Sequence, residues 1–185
     1  MKISVYIGYD SRQDYPPKYN KIKNPCYEIC KYSILKYNQD VIIKPIILDE
    51  LISQNIYYRE VDPLASTEFT YSRFLTPYLN DYNGIAIFCD SDFLWQCDIN
   101  DLIKYYDDRY AVMCVQHDYE PKSNTKMDGY IQTIYPRKNW SSLMMFNCEH
   151  DDCKNLSVEN VNIKSAKYLH RMKWTDEVGK IPLIY

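Results

Sequence analysis

The chain has 185 residues and a formal net charge of −3, with 46% hydrophobic and 25% charged residues. This length fits one domain with one core, and the composition excludes a disordered chain. No stretch approaches the roughly 18 apolar residues of a membrane-spanning helix, and the lysines are too scattered for a nucleic-acid surface. We expect a single domain over residues 1–185, with no transmembrane segment and no nucleic-acid partner.

The first residues and the cysteines indicate the compartment. MKISVYIGYD has one lysine, a short apolar run and no small-residue cleavage site, so it predicts a first strand rather than a signal peptide. Seven cysteines without regular spacing predict free thiols. Cys148 and Cys153 flank a Glu-His-Asp-Asp stretch without a second Cys-x-x-Cys pair, so a polar turn is expected there instead of a zinc site. A cytoplasmic location is predicted.

The first half of the chain predicts a β-α-β unit followed by a second helix. Residues 2–9 and 41–48 are β-rich runs, and the apolar residues of 24–38 between them recur at helical spacing. A helix is predicted over 66–80, with Pro77 bending it or ending it early. Strands and helices therefore alternate from the start.

The alternation continues with the stretch GIAIFCDSDFLW, residues 84–95, which reads as a buried strand ending in two aspartates. A short helix over 99–108, capped by Asn100, then leads to a strand over 110–115. Alternating strands and helices are typical of a sheet covered on both faces.

The last part of the chain begins with residues 116–139, which show no period and are interpreted as an active-site loop. Residues 140–148 predict a further buried strand, and a helical region follows. The whole pattern predicts an α/β fold, with a mixed, mostly parallel sheet flanked by helices in the Rossmann-like manner.

Asp90 and Asp92 stand where the predicted strand of residues 84–95 ends. In parallel sheets, ligands bind outside the carboxyl ends of the strands, and residues i and i+2 of an extended segment project to the same side. Two such carboxylates can share a hard cation whose open positions suit diphosphate oxygens. The motif predicts a site for a divalent cation and a nucleotide ligand.

Five stretches of the chain form a recognisable combination: YIGYDSR, STEFTYSRFLTPYL, FCDSDFLWQCDINDL, AVMCVQHDY and YPRKNWSSLMMFNC. Together they resemble nucleotide-sugar glycosyltransferases of the GT-A fold, close to family 8 and similar to short glycosyltransferase domains of bacteria and large viruses. The resemblance implies Mn²⁺- or Mg²⁺-dependent hexosyl or deoxyhexosyl transfer from a nucleotide-sugar donor, with UDP-sugar expected, to a glycan or lipid-linked acceptor.

The resemblance also implies where the nucleotide binds. Gly8, Tyr9, Asp10 and Arg12 would hold the uracil and ribose, with Asp10 accepting a hydrogen bond from the base. Arg73 would reach the phosphates and the sugar, a task that suits a guanidinium.

In the resembled family, the Asp-x-Asp motif binds the metal and also contacts the ribose. Asp90 would contact ribose and metal, Ser91 would supply backbone contacts, and Asp92 would chelate the metal.

The donor sugar is expected beside Trp140, Ser141 and Ser142, where the resembled family has an Asn-Ser/Ala-Gly segment. Trp140 replaces the asparagine and Ser142 the glycine, which leaves the identity of the sugar open. Asp128 and Asp176 are candidates for contacts to sugar hydroxyls, or for a catalytic base if the reaction inverts.

The resembled family usually supplies a further metal ligand, commonly a histidine, from a later segment. No histidine follows His170, so we expect a domain that lacks a C-terminal segment. His117, His150 and His170 are expected to be structural or solvated.

Three other readings stay open. A nucleotidyltransferase would show a glycine-rich phosphate loop after the first strand, but GYDSRQ has one glycine. A phosphohydrolase would carry Asp-x-Asp on its first strand. A catalytically inert module that binds nucleotide sugars would bind UDP without hydrolysing the donor.

Overall fold

The computed structural model describes residues 3–14, 23–61, 65–117 and 138–183. Within these ranges six strands form one sheet. The strands are β1 (Ser4–Tyr9), β2 (Ile42–Ile47), β3 (Ile85–Cys89), β4 (Val112–His117), β5 (Lys138–Asn147) and β6 (Val178–Ile181).

The sheet has the strand order β2-β1-β3-β5-β4-β6. β1 is parallel to β2 and β3, and β4 is parallel to β6. β5 runs antiparallel to both of its neighbours, β3 and β4. Five strands therefore point in one direction and β5 opposes them, which confirms the predicted mixed, mostly parallel α/β sheet.

The described residues also include six α-helices and three short 3-10 helices. The α-helices are α1 (Pro25–Tyr37), α2 (Leu48–Ser53), α3 (Thr76–Leu79), α4 (Ile99–Ile103), α5 (Val158–Ile163) and α6 (Ala166–His170). The 3-10 helices span Ser11–Gln13, Ser72–Leu75 and Asp151–Leu156. No helix in these ranges is long and apolar enough to cross a membrane.

The predicted helix over 66–80 is wrong. Residues 68–71 form turns, a 3-10 helix covers Ser72–Leu75, and α3 begins only at Thr76. Pro77 lies in the first turn of α3, where its missing N–H costs nothing, so it begins a helix instead of ending one.

Other boundaries also differ from the prediction. The side chain of Asp98 accepts a hydrogen bond from the Asn100 N–H, so Asp98 and not Asn100 caps α4. β6 was missed, because four residues carry little periodic signal. The Cys148 to Cys153 stretch is a polar turn, as predicted, in which His150 caps the 3-10 helix that follows.

The core lies on both faces of the sheet. Alternate residues of each central strand join different apolar clusters: Tyr6 and Phe88 face one side, whereas Val5 and Ile87 face the other. Burial on both faces explains why these strands read as continuous apolar runs. It also leaves the strand ends as the places where polar side chains meet water.

Candidate functional site

A cleft of about 370 Å³ opens where β3 ends and β5 begins. Because β5 is antiparallel to β3, these two points lie at the same edge of the sheet. The lining residues are Ser66, Thr70, Arg73, Asp90, Asn139, Trp140, Ser141, Ser142, His170 and Arg171. The structure therefore brings Arg73, Asp90 and the Trp140 to Ser142 segment together in one cleft, whereas their contacts to a donor stay a prediction.

Arg73 is almost completely buried at the base of the cleft, at 5% exposure. Its Nη1 donates to Asp90 Oδ1 at 2.8 Å and to the Ser141 carbonyl at 2.9 Å, and its Nε donates to the Phe69 carbonyl at 3.2 Å. Burial lowers the pKa of the guanidinium, and the Asp90 carboxylate counteracts this. Arg73 thus joins three segments of the chain.

The Asp90 carboxyl has a raised pKa. Burial raises the pKa of its carboxyl to about 6, and the charge of Asp92 adds to this rise, although Arg73 lowers it. The Asp90 N–H donates to the Ser142 carbonyl at 2.9 Å, which continues the β3–β5 ladder by one step.

Asp92 is exposed and follows Asp90 through a turn at residues 91 and 92. The premise that this segment is extended is therefore wrong, although each carboxylate still lies within the electrostatic field of Arg73. No group of three His, Cys, Asp or Glu side chains suited to a metal occurs in the described ranges. Two carboxylates that repel each other fit a cation whose remaining ligands come from a bound phosphate and water.

The end of β1 holds a second charged network. Asp10 is 2% exposed and accepts from Arg12 at both carboxylate oxygens, from Nε at 2.8 Å and from Nη2 at 2.6 Å. Burial would raise the pKa of Asp10, but the hydrogen bonds from Arg12 hold it below its ordinary value. Arg12 also donates to the Ser66 carbonyl at 3.0 Å and is half exposed. Asp10 therefore orients Arg12.

Gly8, Tyr9 and Ser91 are interior residues rather than cleft-lining ones. A Cβ on Gly8 would lie 2.5 Å from the ring of Phe69, so only glycine fits there. The buried Tyr9 donates its hydroxyl to Asp14 Oδ1 at 2.8 Å. Ser91 is 3% exposed. All three shape the carboxyl edge of the sheet from within.

An irregularity in β5 brings Trp140, Ser141 and Ser142 to the cleft. On β4 the pairing advances two residues, from Cys114 to Gln116, whereas on β5 it moves five, from Met144 to Asn139. Over this step β5 therefore has three more residues than β4, and they are not paired with it. Such bulges frequently aim side chains into functional sites.

His170 and Asn139 line the cleft but were not predicted to do so. Ser141 Oγ lies 2.9 Å from His170 Nδ1, and the imidazole packs edge-on against Phe74 at 5.0 Å. Asn139 Oδ1 is buried and has no hydrogen-bond partner within the described part of the chain. The sequence offered one indication that Asn139 belongs to the site, its position beside Trp140. It offered no indication for His170.

The two remaining candidates are not brought to the cleft. Asp128 lies outside the described residues. Asp176 is exposed and precedes β6, and Val178 is level with Ala86 across the sheet. Asp90 lies four residues beyond Ala86, so Asp176 is displaced from it by about 20 Å along the strands. The structure places Asp176 at the opposite edge.

Solved structures with a similar fold include glycosyltransferases. The chain aligns over its full length with 39% of the bifunctional glycosyltransferase WbbM, with a TM-score of 0.59 and 12% identity. It covers 45% of GlyE of Streptococcus pneumoniae TIGR4, with a TM-score of 0.51 and 14% identity. It covers 72% of an active-site mutant of LgtC, with a TM-score of 0.52 and 8% identity. The fold is therefore the GT-A fold, whereas the closer assignment to family 8 stays a prediction.

The chain spans less than half of WbbM and GlyE. No protein-family model matches its sequence. Protein CDI of Arabidopsis thaliana is 48% identical over 184 residues, which cover 98% of this chain and 67% of that protein. This identity over two thirds of the relative's length shows that the chain belongs to the family of Protein CDI.

Proposed function

We propose that the protein is a metal-dependent glycosyltransferase that moves a sugar from a UDP-sugar to a hydroxyl group of its acceptor. The observation that carries this proposal is the arrangement of Asp90, Asp92 and Arg73 at the carboxyl edge of a GT-A sheet. Asp90 lines an open cleft of about 370 Å³, and the exposed Asp92 follows it through a turn, so the two carboxylates suit a cation that also binds a diphosphate.

Asp90 and Asp92 would hold the metal in this proposal. Bound Mn²⁺ or Mg²⁺ would neutralise the charge that develops on the departing diphosphate. Arg73 is too buried to serve mainly as a phosphate clamp, and its hydrogen bonds to Asp90 and Ser141 make it a positioning residue. In this proposal Arg73 holds Asp90 and Ser141 in place, and these residues face the donor.

Asn139 lines the cleft, and Arg12 lines a neighbouring cavity that shares Thr70 with it, so both offer polar groups to a donor that extends from one to the other. Arg12 is held by Asp10 near the end of β1 and keeps about half of its side chain exposed, which suits the ribose or the base. The buried Oδ1 of Asn139 lacks a donor in the described residues, so a ligand hydroxyl would satisfy it. Trp140, Ser141 and Ser142 would border the transferred hexose or deoxyhexose.

The proposal is tested by calorimetric titration of UDP with and without Mn²⁺, using Asp92→Asn and the control Asp101→Asn. Asp101 is a surface residue paired with Lys104, so its change removes the same charge away from the cleft. We expect Asp92→Asn to weaken Mn²⁺-dependent UDP binding at least about tenfold with little change in melting temperature, because Asp92 is exposed. Undiminished binding would contradict the proposal.

A second measurement separates an enzyme from an inert binding module. The wild-type protein is incubated with UDP-sugars and Mn²⁺, and free UDP is followed over time. An enzyme releases UDP through transfer or slow hydrolysis, whereas a module that binds the donor without reaction leaves it intact.

A further inference from the structure

A second cavity of about 330 Å³ lies beside the cleft. Its lining residues are Phe93, Val115, His117, Trp140, Ser142, Leu143 and Leu183. We call it the apolar pocket. Its residues come from the segment after the Asp-x-Asp motif, from β4, from β5 and from the segment after β6.

The apolar pocket has a buried floor and an exposed rim. Val115 and Leu143 are 8% and 3% exposed, so they form the floor, whereas Trp140 and Leu183 stand at the opening. The imidazole of His117 meets the Trp140 indole at a centroid distance of 5.6 Å. Among the described residues, no Asp, Glu, Lys or Arg lines this cavity. It therefore offers apolar and aromatic surface and few hydrogen-bonding groups.

The apolar pocket adjoins the metal-binding motif. Phe93 directly follows Asp92 in the chain, and the Ser142 carbonyl accepts a hydrogen bond from the Asp90 N–H at 2.9 Å. Trp140 and Ser142 line both the cleft and the pocket, because the irregularity of β5 releases this segment from β4. A molecule seated in the pocket would extend towards the cleft along Trp140.

We propose that the apolar pocket binds the aglycone of the acceptor, an uncharged aromatic or alkyl group attached close to the hydroxyl that receives the sugar. This inference rests on the proposed function, because the cleft beside the pocket is assigned to the donor. Burial of an aromatic or alkyl group against Phe93, Trp140 and Leu143 is favoured by the hydrophobic effect.

The lining favours an apolar group over a sugar ring. Among its described lining residues, the polar side-chain groups are the Ser142 hydroxyl, the His117 imidazole and the Trp140 indole N–H, so most hydroxyls of a buried sugar would lose water without gaining a partner. Without a cationic side chain in its lining, the pocket does not suit a phosphate. The donor's charged part therefore belongs to the cleft and the acceptor's apolar part to the pocket.

The test compares two ligands that differ only in the aglycone, phenyl β-D-glucoside and methyl β-D-glucoside. Their affinities are measured by ligand-detected NMR with no donor present, so the readout does not depend on activity. We expect the phenyl compound to bind at least about tenfold more tightly than the methyl compound, as burial of one ring predicts.

The variants are Phe93→Ala, which removes one wall, and Leu94→Ala as the matched control. Leu94 is the next residue and is 61% exposed outside the pocket. The phenyl preference is expected to disappear in Phe93→Ala and to persist in Leu94→Ala. Leu183→Asp places a charge on the exposed rim, so it decides the question if Phe93→Ala fails to fold.

Equal affinity for the two glucosides, failure of both to bind, or a preference that survives in Phe93→Ala and Leu183→Asp would overturn the inference. Each of these results would mean that the pocket is filled by something else, such as another part of the chain or a second copy. Mn²⁺-dependent UDP binding by the wild type is measured in parallel. If UDP binds without any phenyl preference, only the inference fails, whereas a phenyl preference without UDP binding refutes only the donor assignment.

Discussion

Ser141 is held from two sides by residues that are far apart in the sequence. Arg73 donates to its carbonyl at 2.9 Å, and His170 Nδ1 lies 2.9 Å from its hydroxyl. Burial, together with the nearby charge of Arg73, lowers the pKa of His170 to about 4, although a hydrogen bond to the Thr70 backbone opposes this. His170 is therefore neutral at neutral pH and holds Ser141 without adding a second positive charge.

His170 makes the stability of the protein depend on pH. Its folded pKa is about 4 and its ordinary value is 6.5, so the unfolded chain binds more protons between these values and stability falls as pH falls through them. Between pH 7 and pH 5 this amounts to about 2 kcal/mol. From pH 7 to pH 5, we expect the free energy of unfolding to fall by about 2 kcal/mol more in the wild type than in His170→Asn. Urea denaturation of both proteins at the two pH values measures this difference.

Asp90 acts in the opposite direction, because its raised pKa of about 6 makes the folded chain bind more protons as the pH falls. This contribution is present in both proteins and cancels in the difference between them. Parallel stability curves for wild type and His170→Asn between pH 7 and pH 5 would show that His170 does not titrate as described.

At the level of elements, Arg73 is positioned by the close packing of β1 against the segment that precedes α3. Phe69 packs directly over Gly8 of β1, and the Phe69 carbonyl accepts from Arg73 Nε. The guanidinium lies 5.2 Å from the Phe69 ring centroid and 5.1 Å from that of Phe88 in β3. The position of the Arg73 guanidinium is therefore determined by short elements: strands β1 and β3, the turn that contains Phe69 and the 3-10 helix that contains Arg73.

Gly8→Ala tests this packing. The added methyl would lie 2.5 Å from the buried Phe69 ring, so the ring and the Arg73 segment must shift. We expect a loss of about 1 to 3 kcal/mol in the free energy of unfolding, as overpacking predicts, and weaker binding of UDP with Mn²⁺.

The control for that change is Gly84→Ala. Gly84 has φ 62 and open space around its Cβ position, so alanine costs backbone strain of about 1 kcal/mol without displacing a neighbour. UDP binding should be unchanged in the control. If both variants bind UDP equally well, the contact between Gly8 and Phe69 does not position the site.

At the scale of the whole molecule, five of the six strands and one edge of the cleft could be predicted from the sequence. β3 is an uninterrupted apolar run, β1 and β2 are runs rich in β-forming residues, and Asn24 with Pro25 marks the start of α1. The topology then placed Asp90 at a carboxyl end. These features are determined by residues that are close together in the sequence, and the periodicity of apolar residues detects such local patterns.

The parts that could not be predicted depend on contacts between distant residues. His170 reaches Ser141 across 29 positions. The released segment of β5 is defined by its pairing with two different strands. Within residues 66–80, Phe69, Phe74 and Leu75 are buried, but turns and a 3-10 helix bury them instead of the predicted α-helix.

The seven cysteines test the packing of the whole molecule. All are free, as predicted; five are buried and only Cys26 and Cys97 are partly accessible. Burial also raises the pKa of Cys148 to about 12, which removes the reactive thiolate. We expect Ellman's reagent to label at most these two thiols in the native protein and all seven in guanidinium.

Cys26→Ser combined with Cys97→Ser should abolish native labelling while the melting temperature stays within a few degrees. Rapid reaction of more than two thiols in the native wild-type protein would contradict the packing of the core.

The position of β5 in the sheet has a consequence for how the protein is made. β3 and β4 do not touch, because β5 lies between them. In a nascent chain that has emerged only as far as residue 117, β2, β1 and β3 can pair, but the edge of β3 that β5 covers in the complete sheet is open, and β4 has no neighbouring strand. The edge of β3 is covered completely only when β5 has emerged as far as Asn147, which pairs with Ile85. Until then the edge of β3 is open to incorrect pairing, and the ribosome must deliver most of the chain before the cleft exists.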